Sequence, residues 1–167
     1  MQLEVTVEYS GWDDLIPAVD ELAREALGAA AGEVGFADPA AEVSLLFADD
    51  ASVRRLNRDW RGKDTPTNVL SFEADEEEGP ATGPRLLGDI VLAFETVMRE
   101  AREQHKRPED HTRHLLAHGF LHLLGYDHQD AAEAERMEAH ESAALARLGV
   151  ADPYAEDRRG SEGGLQG

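Results

Sequence analysis

Apolar and polar residues alternate along the start of the chain. Leu3, Val5 and Val7 are separated by polar residues, and Tyr9 continues the alternation. Because successive side chains of a strand point to opposite faces, this pattern predicts a strand with one buried face. We expect it at or near the edge of a sheet.

The following apolar residues recur at helical spacing over residues 13–31. Pro17 falls in the first turn of this predicted helix, where a missing N–H costs little. Beyond it, the apolar pattern predicts strands at 42–47, 67–72 and 86–94. Further helices are predicted from the candidate N-caps Asp49 and Asp50 to about residue 60, at 95–105, from Pro108 to a stop at Gly125, and at 131–148.

Two stretches show no apolar period. Residues 73–85 are rich in acidic residues, Gly and Pro, and residues 151–167 lack core-forming side chains. Because neither offers enough apolar surface to offset the entropy of ordering, we expect a solvated loop at 73–85 and a disordered tail at 151–167. Both are predicted to be dispensable for the metal site proposed below, and a single domain is expected to span residues 1–150.

The composition argues against several classes of function. The chain has 16 Lys and Arg against 35 Asp and Glu, a formal net charge of −19, which disfavours unspecific attraction to nucleic acid or anionic lipid. The absence of Cys excludes disulfides, thiolate metal sites and thiol nucleophiles. No apolar run approaches the roughly 20 residues that span a bilayer, and Met1 leads directly into a strand pattern. We therefore expect a cytoplasmic protein without a membrane segment.

Three of the seven histidines lie in the segment HGFLHLLGYDH, residues 118–128. His118 and His122 are four residues apart on the predicted helix, so both imidazoles can reach one ion. The turn after Gly125 can return His128 over the same face. Three neutral imidazoles with an open fourth position indicate a catalytic zinc site. Nickel also accepts imidazole, so the sequence leaves the native metal open between the two.

The other histidines are less informative. His114 lies one turn before His118 and shares its face, where it is either a support for the ligands, a substrate-facing side chain or a solvated one. His105, His111 and His140 are expected outside the metal site. An isolated His-x-x-x-His pair is also compatible with two polar residues on a half-exposed helix face, but the placement of His128 favours a metal site.

The residue after the first histidine excludes one reaction class. Peptidases with the HExxH motif use a Glu there as general base, whereas this chain has Gly119. A peptidase of that type is therefore not expected. Metal-assisted catalysis remains possible, because a bound zinc ion supplies hydroxide near neutral pH by itself.

Residues 52–64 carry a net charge of +3 within this acidic chain, from five cations and two aspartates. Arg54, Arg55 and Arg58 are as compatible with a solvated helix face as with substrate binding. Arg61 and Lys63 lie where the helix leads into a loop, and a planar guanidinium near a metal suits a phosphodiester transition state. Both are therefore candidates for a role at the site, and the family resemblance described below makes Arg61 the candidate catalytic residue. The candidate substrate-binding residues are Arg54, Arg58, Lys63 and His114.

Three motifs together resemble a known family. LNRDWRGKDTPTNVLSF at 56–72, LGDIV at 87–91 and the histidine segment at 118–128, in this order and spacing, are similar to the YbeY family of bacterial rRNA maturation endoribonucleases. The resemblance covers roughly residues 1–150. It implies an α+β domain with a small mixed, mostly parallel four-stranded sheet packed with helices, and a metal cleft like that of zinc peptidases.

The same resemblance implies roles for particular residues and partners. His118, His122 and His128 match the zinc ligands, one ion per chain, and Arg61 matches an arginine implicated in RNA cleavage. The implied role is cytoplasmic, in three-prime-end maturation of small-subunit rRNA and in ribosome quality control. Implied partners are single-stranded RNA, the small ribosomal subunit, one of its proteins and a ribosome-associated GTPase.

Some features depart from the family or leave alternatives. Glu73 stands where the family commonly has proline, and the chain is unusually acidic for an RNA enzyme. Asp127 either orients a histidine or is a plain turn residue, and Asn68 and Asp89 either serve the site or tie loops to strands. Two other functions are compatible with the same metal site: a ribosome-assembly factor that cleaves nothing, and a hydrolase of small molecules or peptides.

Overall fold

Four strands and six helices make up the part of the chain that the computed structural model describes, namely residues 1–74, 85–127 and 129–155. In chain order they are β1 (Gln2–Val7), α1 (Gly11–Leu15), α2 (Val19–Val34), β2 (Ala41–Ala48), α3 (Asp50–Arg61), β3 (Val69–Glu73), β4 (Arg85–Ala93), α4 (Phe94–Glu103), α5 (Pro108–Leu123) and α6 (Ala131–Arg147).

The strands form one mixed sheet in the order β1-β2-β4-β3. The neighbours β1 and β2, and β2 and β4, run parallel, whereas β3 runs antiparallel to β4. The first strand is at the edge, and its apolar residues are less exposed than the polar ones between them, as its alternation predicts. The α+β class and the mostly parallel four-stranded sheet are confirmed.

Helices cover the two faces of the sheet unequally. The main core joins α2 and α5 to the apolar side chains of one face, among them Leu45, Phe47 and Ile90. Helix α6 packs against both α2 and α5. On the other face, a smaller cluster around Val53, Leu70 and Val91 anchors α3. The sheet thereby supports α5 from below, and α6 flanks it.

The ends of α5 follow from the sequence. Pro108 occupies the start, where its missing N–H is tolerated, and Glu109 and Asp110 place negative charge in the first turn. After Leu123 the chain turns at Gly125, whose φ of 97° lies in the region that favours glycine. The predicted stop is therefore confirmed.

The helix predicted over 13–31 is divided in two, so the prediction was wrong at Pro17. Helix α1 ends at Leu15 and α2 begins at Val19. Ile16 adopts φ −127° and ψ 85°, because a residue that precedes proline is disfavoured in the helical conformation. Pro17 therefore separates the helices instead of lying inside the first turn of one.

The predicted loop and tail are described only in part. Residues 75–84 and 156–167 lie outside the described residues. The tail was expected to begin at residue 151, but Asp152 accepts a hydrogen bond of 2.8 Å from Ser142 Oγ, and the Tyr154 hydroxyl reaches Glu141 on α6. Residues 152–154 thus lie against the domain. None of the described helices is long and apolar enough to cross a membrane.

Candidate functional site

Four histidines form a row along one side of α5. His111, His114, His118 and His122 follow one another at intervals of three or four residues, which places them on the same side of a helix. Their ring centroids are 6.2, 6.4 and 4.7 Å apart in this order, and each pair of rings meets edge to face. The site is therefore an extended line of imidazoles, of which the sequence analysis assigned only the last two to a metal.

A buried carboxylate on α6 faces the middle of this row. Glu141 is 1% exposed, and its Oε1 lies 2.8 Å from His114 Nε2 and 3.1 Å from His118 Nδ1. The Tyr154 hydroxyl donates to the same oxygen at 2.9 Å. One carboxylate oxygen therefore binds two neighbouring histidines and the C-terminal segment at once.

The charge states follow from burial and these bonds. Burial by itself raises the pKa of Glu141, but the hydrogen bonds from His114 and His118 outweigh it and lower the pKa to about 2. Burial lowers the pKa of His114 more than Glu141 raises it. At neutral pH, Glu141 is therefore ionised and His114 is a neutral imidazole.

His118 and His122 have the geometry of candidate metal ligands. Their ring centroids are 4.7 Å apart and both side chains are only partly exposed. Because Glu141 lies at Nδ1 of His118, the Nε2 atom of that ring is left as the ligand nitrogen. Borderline metals such as zinc and nickel accept this donor type, so the pair fits a metal site.

His128, the third predicted ligand, lies outside the described residues. Among residues 1–74, 85–127 and 129–155, no group of three His, Asp or Glu side chains is arranged to hold an ion. His105 and His140 lie away from the row: His105 is exposed in the turn after α4, and His140 packs against Tyr126.

Gly119 stands where HExxH peptidases have the Glu that serves as general base, and its surroundings are tightly packed. A Cβ at this position would lie 3.0 Å from Ile90 Cγ2 and 3.1 Å from Ser71 Oγ. Ser71 also donates to the Gly119 carbonyl at 3.2 Å. The position after His118 thus faces the sheet, on which the backbone of α5 rests. A Glu at this position would meet Ser71 on β3 and Ile90 on β4.

The basic residues lie on and just after α3. Asp49 caps this helix by accepting a hydrogen bond of 2.9 Å from the Ser52 N–H, and Gly62 ends it in the left-handed conformation at φ 70°. Arg54 forms two hydrogen bonds with Asp64, at 2.8 and 3.1 Å, while Arg58 pairs with Asp59. These two guanidiniums already have local partners.

Arg61 and Lys63 differ from their neighbours. Both are exposed, and within the described part of the chain neither side chain forms a hydrogen bond or an ion pair. No hydrogen bond or ion pair therefore joins Arg61 to any histidine of the described ranges. Helix α3 packs against β4 and α4. The predicted orientation of Arg61 toward a metal cleft remains a prediction.

Trp60 precedes Arg61 and is 74% exposed, the most exposed of the large apolar side chains that the structure describes. The sequence analysis did not single it out. An aromatic ring open to solvent beside cations is typical of surfaces on which nucleic-acid bases stack. Its exposure could have been predicted from the sequence, because this tryptophan stands among polar residues at the end of an amphipathic helix.

Asn68 and Asp89 have different surroundings. Asn68 Nδ2 donates to Glu100 at 3.0 Å, which ties the start of β3 to α4. Asp89 is exposed on the face of the sheet that carries α3. Partial burial and the neighbouring Glu4 raise its pKa, and a hydrogen bond with Ser44 counteracts them. Asn68 therefore ties the residue before β3 to α4, whereas the sequence analysis had expected it either to serve the site or to tie a loop to a strand.

Glu141 and Tyr154 are the site residues that the sequence analysis missed. Glu141 shares a face of α6 with Met137, Ala144 and Leu145, all buried. A lone acid on the apolar face of an amphipathic helix was the available signal. Tyr154 gave a weaker one, because it lies in a segment of otherwise polar composition.

Known proteins with similar sequences share one description. The sequence profile of the family described as Endoribonuclease YbeY matches residues 8–149. A relative of that name from Paramagnetospirillum magneticum is 48% identical over 159 residues, which cover 93% of this chain and 97% of the relative. Another, from Methylocella silvestris, is 57% identical over 125 residues, covering 75% of this chain and 69% of the relative.

A solved structure shares the fold. The solution structure of TM1509 from Thermotoga maritima aligns with a TM-score of 0.53 and 24% sequence identity, covering 87% of this chain and 91% of that one. At this identity the likeness concerns the fold alone, and it supports the α+β architecture described above.

Proposed function

Because this chain belongs to the YbeY endoribonuclease family, we propose that it is a zinc-dependent endoribonuclease that cleaves single-stranded RNA. The main support for metal dependence is the pair His118 and His122, whose ring centroids lie 4.7 Å apart. The buried carboxylate of Glu141 contacts Nδ1 of His118. His128 is the proposed third ligand. Nickel is the alternative ion for the same imidazole set.

A bound zinc ion would supply a Lewis acid for a phosphate oxygen and a hydroxide near neutral pH. The chain's own residues would do the rest. His118 and His122 hold the ion, and Arg61 neutralises charge that develops on the scissile phosphate. His114 lies next to His118 but is neutral and bound to Glu141, so we place it behind the ligand and not against the substrate.

The charge distribution supports guided binding of a polyanion. The chain as a whole carries −19, so RNA must approach through a local concentration of positive charge. The segment around α3 supplies it, and Arg61 and Lys63 are the exposed cations there without a partner among the described residues. Arg54 and Arg58, held by aspartates, would contribute at the margin of this surface.

We extend the proposal to the biological setting that the family resemblance implies. The substrate would be the three-prime region of small-subunit rRNA, during maturation and ribosome quality control in the cytoplasm. The partners would be the small ribosomal subunit, one of its proteins and a ribosome-associated GTPase. Binding of purified subunits by the chain, lost at high salt, would support this setting.

The test combines metal content with RNA cleavage. Purified wild-type protein should hold a single zinc ion per chain and cleave an unstructured RNA faster than a duplex of the same sequence. His122→Ala should lose both the metal and the cleavage. His105→Asn removes an imidazole from an exposed turn and should keep both, since asparagine tolerates the φ of 55° at that position.

Three results would contradict the proposal. Wild-type protein without stoichiometric metal, or an unchanged metal content in His122→Ala, would refute the metal site. Protein that holds the metal and binds RNA but leaves it intact would favour an assembly factor.

A further inference from the structure

We propose that Glu141 is a positioning residue for the metal ligand His118, and that Tyr154 from the C-terminal segment holds Glu141 in place. This inference rests on the proposed metal site, because it concerns how one of its ligands is oriented. It extends the site from α5 to α6 and to the chain beyond α6.

The burial of Glu141 calls for an explanation. A carboxylate that is 1% exposed loses its hydration, and this cost is offset only by strong hydrogen bonds. Its neighbours on the same face of α6 are Met137, Ala144 and Leu145, so an apolar residue would suit the packing. The other carboxylate oxygen, Oε2, is buried without a hydrogen-bond partner among the described atoms. The site therefore keeps a charge that the packing does not need.

The contact with His118 defines which nitrogen can bind an ion. The carboxylate oxygen of Glu141 is an acceptor, so the contact at 3.1 Å assigns the proton to His118 Nδ1. In a neutral ring with the proton on Nδ1, the Nε2 atom holds the lone pair that can bind an ion. A carboxylate behind a metal-bound histidine fixes its tautomer and ring orientation and makes the ligand nitrogen more basic.

Two further contacts fix the carboxylate itself. His114 Nε2 lies 2.8 Å from Oε1, and the Tyr154 hydroxyl donates to it at 2.9 Å. Tyr154 is anchored in turn, because Asp152 accepts both from the Tyr154 N–H at 2.9 Å and from Ser142 Oγ on α6 at 2.8 Å. The segment 152–154 therefore forms an outer support of the proposed ligand.

A purely structural role for Glu141 makes a different prediction from a positioning role. Gln has the same length and keeps an acceptor oxygen, so Glu141→Gln would satisfy the packing and the donors. It would remove the negative charge that acts on His118. A change in metal affinity at unchanged fold therefore reports on positioning.

The experiment measures Zn²⁺ affinity of the full chain by competition with a chromophoric chelator. Glu141→Gln should bind Zn²⁺ roughly 10- to 100-fold more weakly than wild type, with the same far-UV circular dichroism. Tyr154→Phe removes only the hydroxyl donor and should weaken binding by roughly 3- to 10-fold. Glu138→Gln makes the same chemical change one turn away on α6 and serves as the matched control, with wild-type affinity.

A second measurement does not depend on the variants. In the zinc-loaded wild-type protein, the imidazole ¹⁵N spectrum should show His118 protonated at Nδ1 and metal-bound at Nε2.

The outcomes separate the two proposals. Wild-type affinity in Glu141→Gln, or a proton on Nε2 of His118, would overturn the positioning role while the metal site stands. Wild-type protein that binds no Zn²⁺ would overturn the proposed metal function itself, and this inference with it.

Discussion

Glu100 on α4 and His111 on α5 lie 2.9 Å apart, from Oε1 to Nε2, at the first turn of the helix that carries the candidate site. His111 is almost completely buried, and Asn68 donates to the same carboxylate oxygen at 3.0 Å. This contact links α4, α5 and the start of β3, and it sets the beginning of the histidine row without taking part in the proposed metal binding.

We predict that Glu100 stabilises the protein at neutral pH and that this stabilisation is lost in acid. Burial raises the pKa of Glu100, but the hydrogen bonds from His111 and Asn68 outweigh it, so the pKa is lowered from 4.5. A group whose pKa is lower in the folded state stabilises above its unfolded pKa, and this stabilisation is lost as the pH falls through the folded value. Glu100→Gln should cost on the order of 1 kcal/mol at pH 7. Thermal unfolding of both proteins between pH 7 and pH 3 should show the gap closing below about pH 4.5.

Glu103→Gln is the control for this prediction. Glu103 lies on the same helix but is exposed, and its only ion pair among the described residues is a long contact with Arg99 at 3.8 Å. Such pairs contribute little, so this variant should differ from wild type by less than about 1 kcal/mol at every pH. A gap between wild type and Glu100→Gln that stays constant with pH would contradict the assignment.

Two helical glycines should respond in opposite ways to alanine. At Gly28 on α2 nothing lies within 4 Å of an added Cβ, so Gly28→Ala should stabilise by about 0.4 to 1 kcal/mol through helix propensity. At Gly119 the added Cβ meets Ile90 and Ser71 at 3.0 and 3.1 Å. Overpacking on this central strand costs about 1 to 3 kcal/mol, so Gly119→Ala should lose about 1 kcal/mol net. Chemical denaturation measures both, and equal shifts would show that α5 can move away from the sheet.

Much of the fold follows from local patterns in the sequence. The alternation in β1 predicted both a strand and its buried face, and Asp49 and Gly125 predicted helix ends at the places where the structure has them. These features depend on neighbours a few residues apart. The strand order β1-β2-β4-β3 does not, because it is set by which surfaces pack together. The family resemblance predicted the mixed four-stranded sheet but no strand order.

The errors have physical causes of the same kind. Pro17 fits a first helical turn as well as a break, and the chain breaks because the helical conformation is disfavoured at Ile16, directly before the proline. Glu141 contacts His118 across 23 residues of sequence, and no local pattern reports that two helices will meet there. Tyr154 contacts His114 and Glu141, which lie 40 and 13 residues away in the sequence. The polar composition of its own segment does not report these contacts and predicted disorder.

Arg61 should affect chemistry more than binding. It is exposed and without a partner among the described residues, whereas Arg54 is held by Asp64. Removing one donor aimed at developing charge costs roughly 10² to 10³ in rate. Arg61→Ala should therefore lower RNA cleavage by about that factor with zinc content and fold intact, while Arg54→Ala and Arg55→Ala mainly weaken binding. Single-turnover cleavage at saturating RNA separates the two effects, and a wild-type rate in Arg61→Ala would make the arginine irrelevant to catalysis.

Trp60 should report RNA binding directly. The chain has two tryptophans, and Trp12 is fully buried, with its indole N–H donating to the Ala48 carbonyl at 2.8 Å. A change in tryptophan emission when single-stranded RNA is added would therefore arise at Trp60, which is 74% exposed beside Arg61. Stacking of a base on an aromatic ring contributes about 1 to 3 kcal/mol, so Trp60→Ala should weaken RNA binding by roughly 5- to 150-fold.

The controls separate stacking from a general loss of apolar surface. Trp60→Phe keeps an aromatic face and should retain most of the affinity. Leu15→Ala removes another exposed apolar side chain, on α1, and should leave RNA binding unchanged. Because phosphate contacts release counterions, the affinity of all four proteins should fall steeply with salt, with nearly the same slope. If RNA leaves the emission unchanged and Trp60→Ala binds as tightly as wild type, the RNA path does not cross the end of α3.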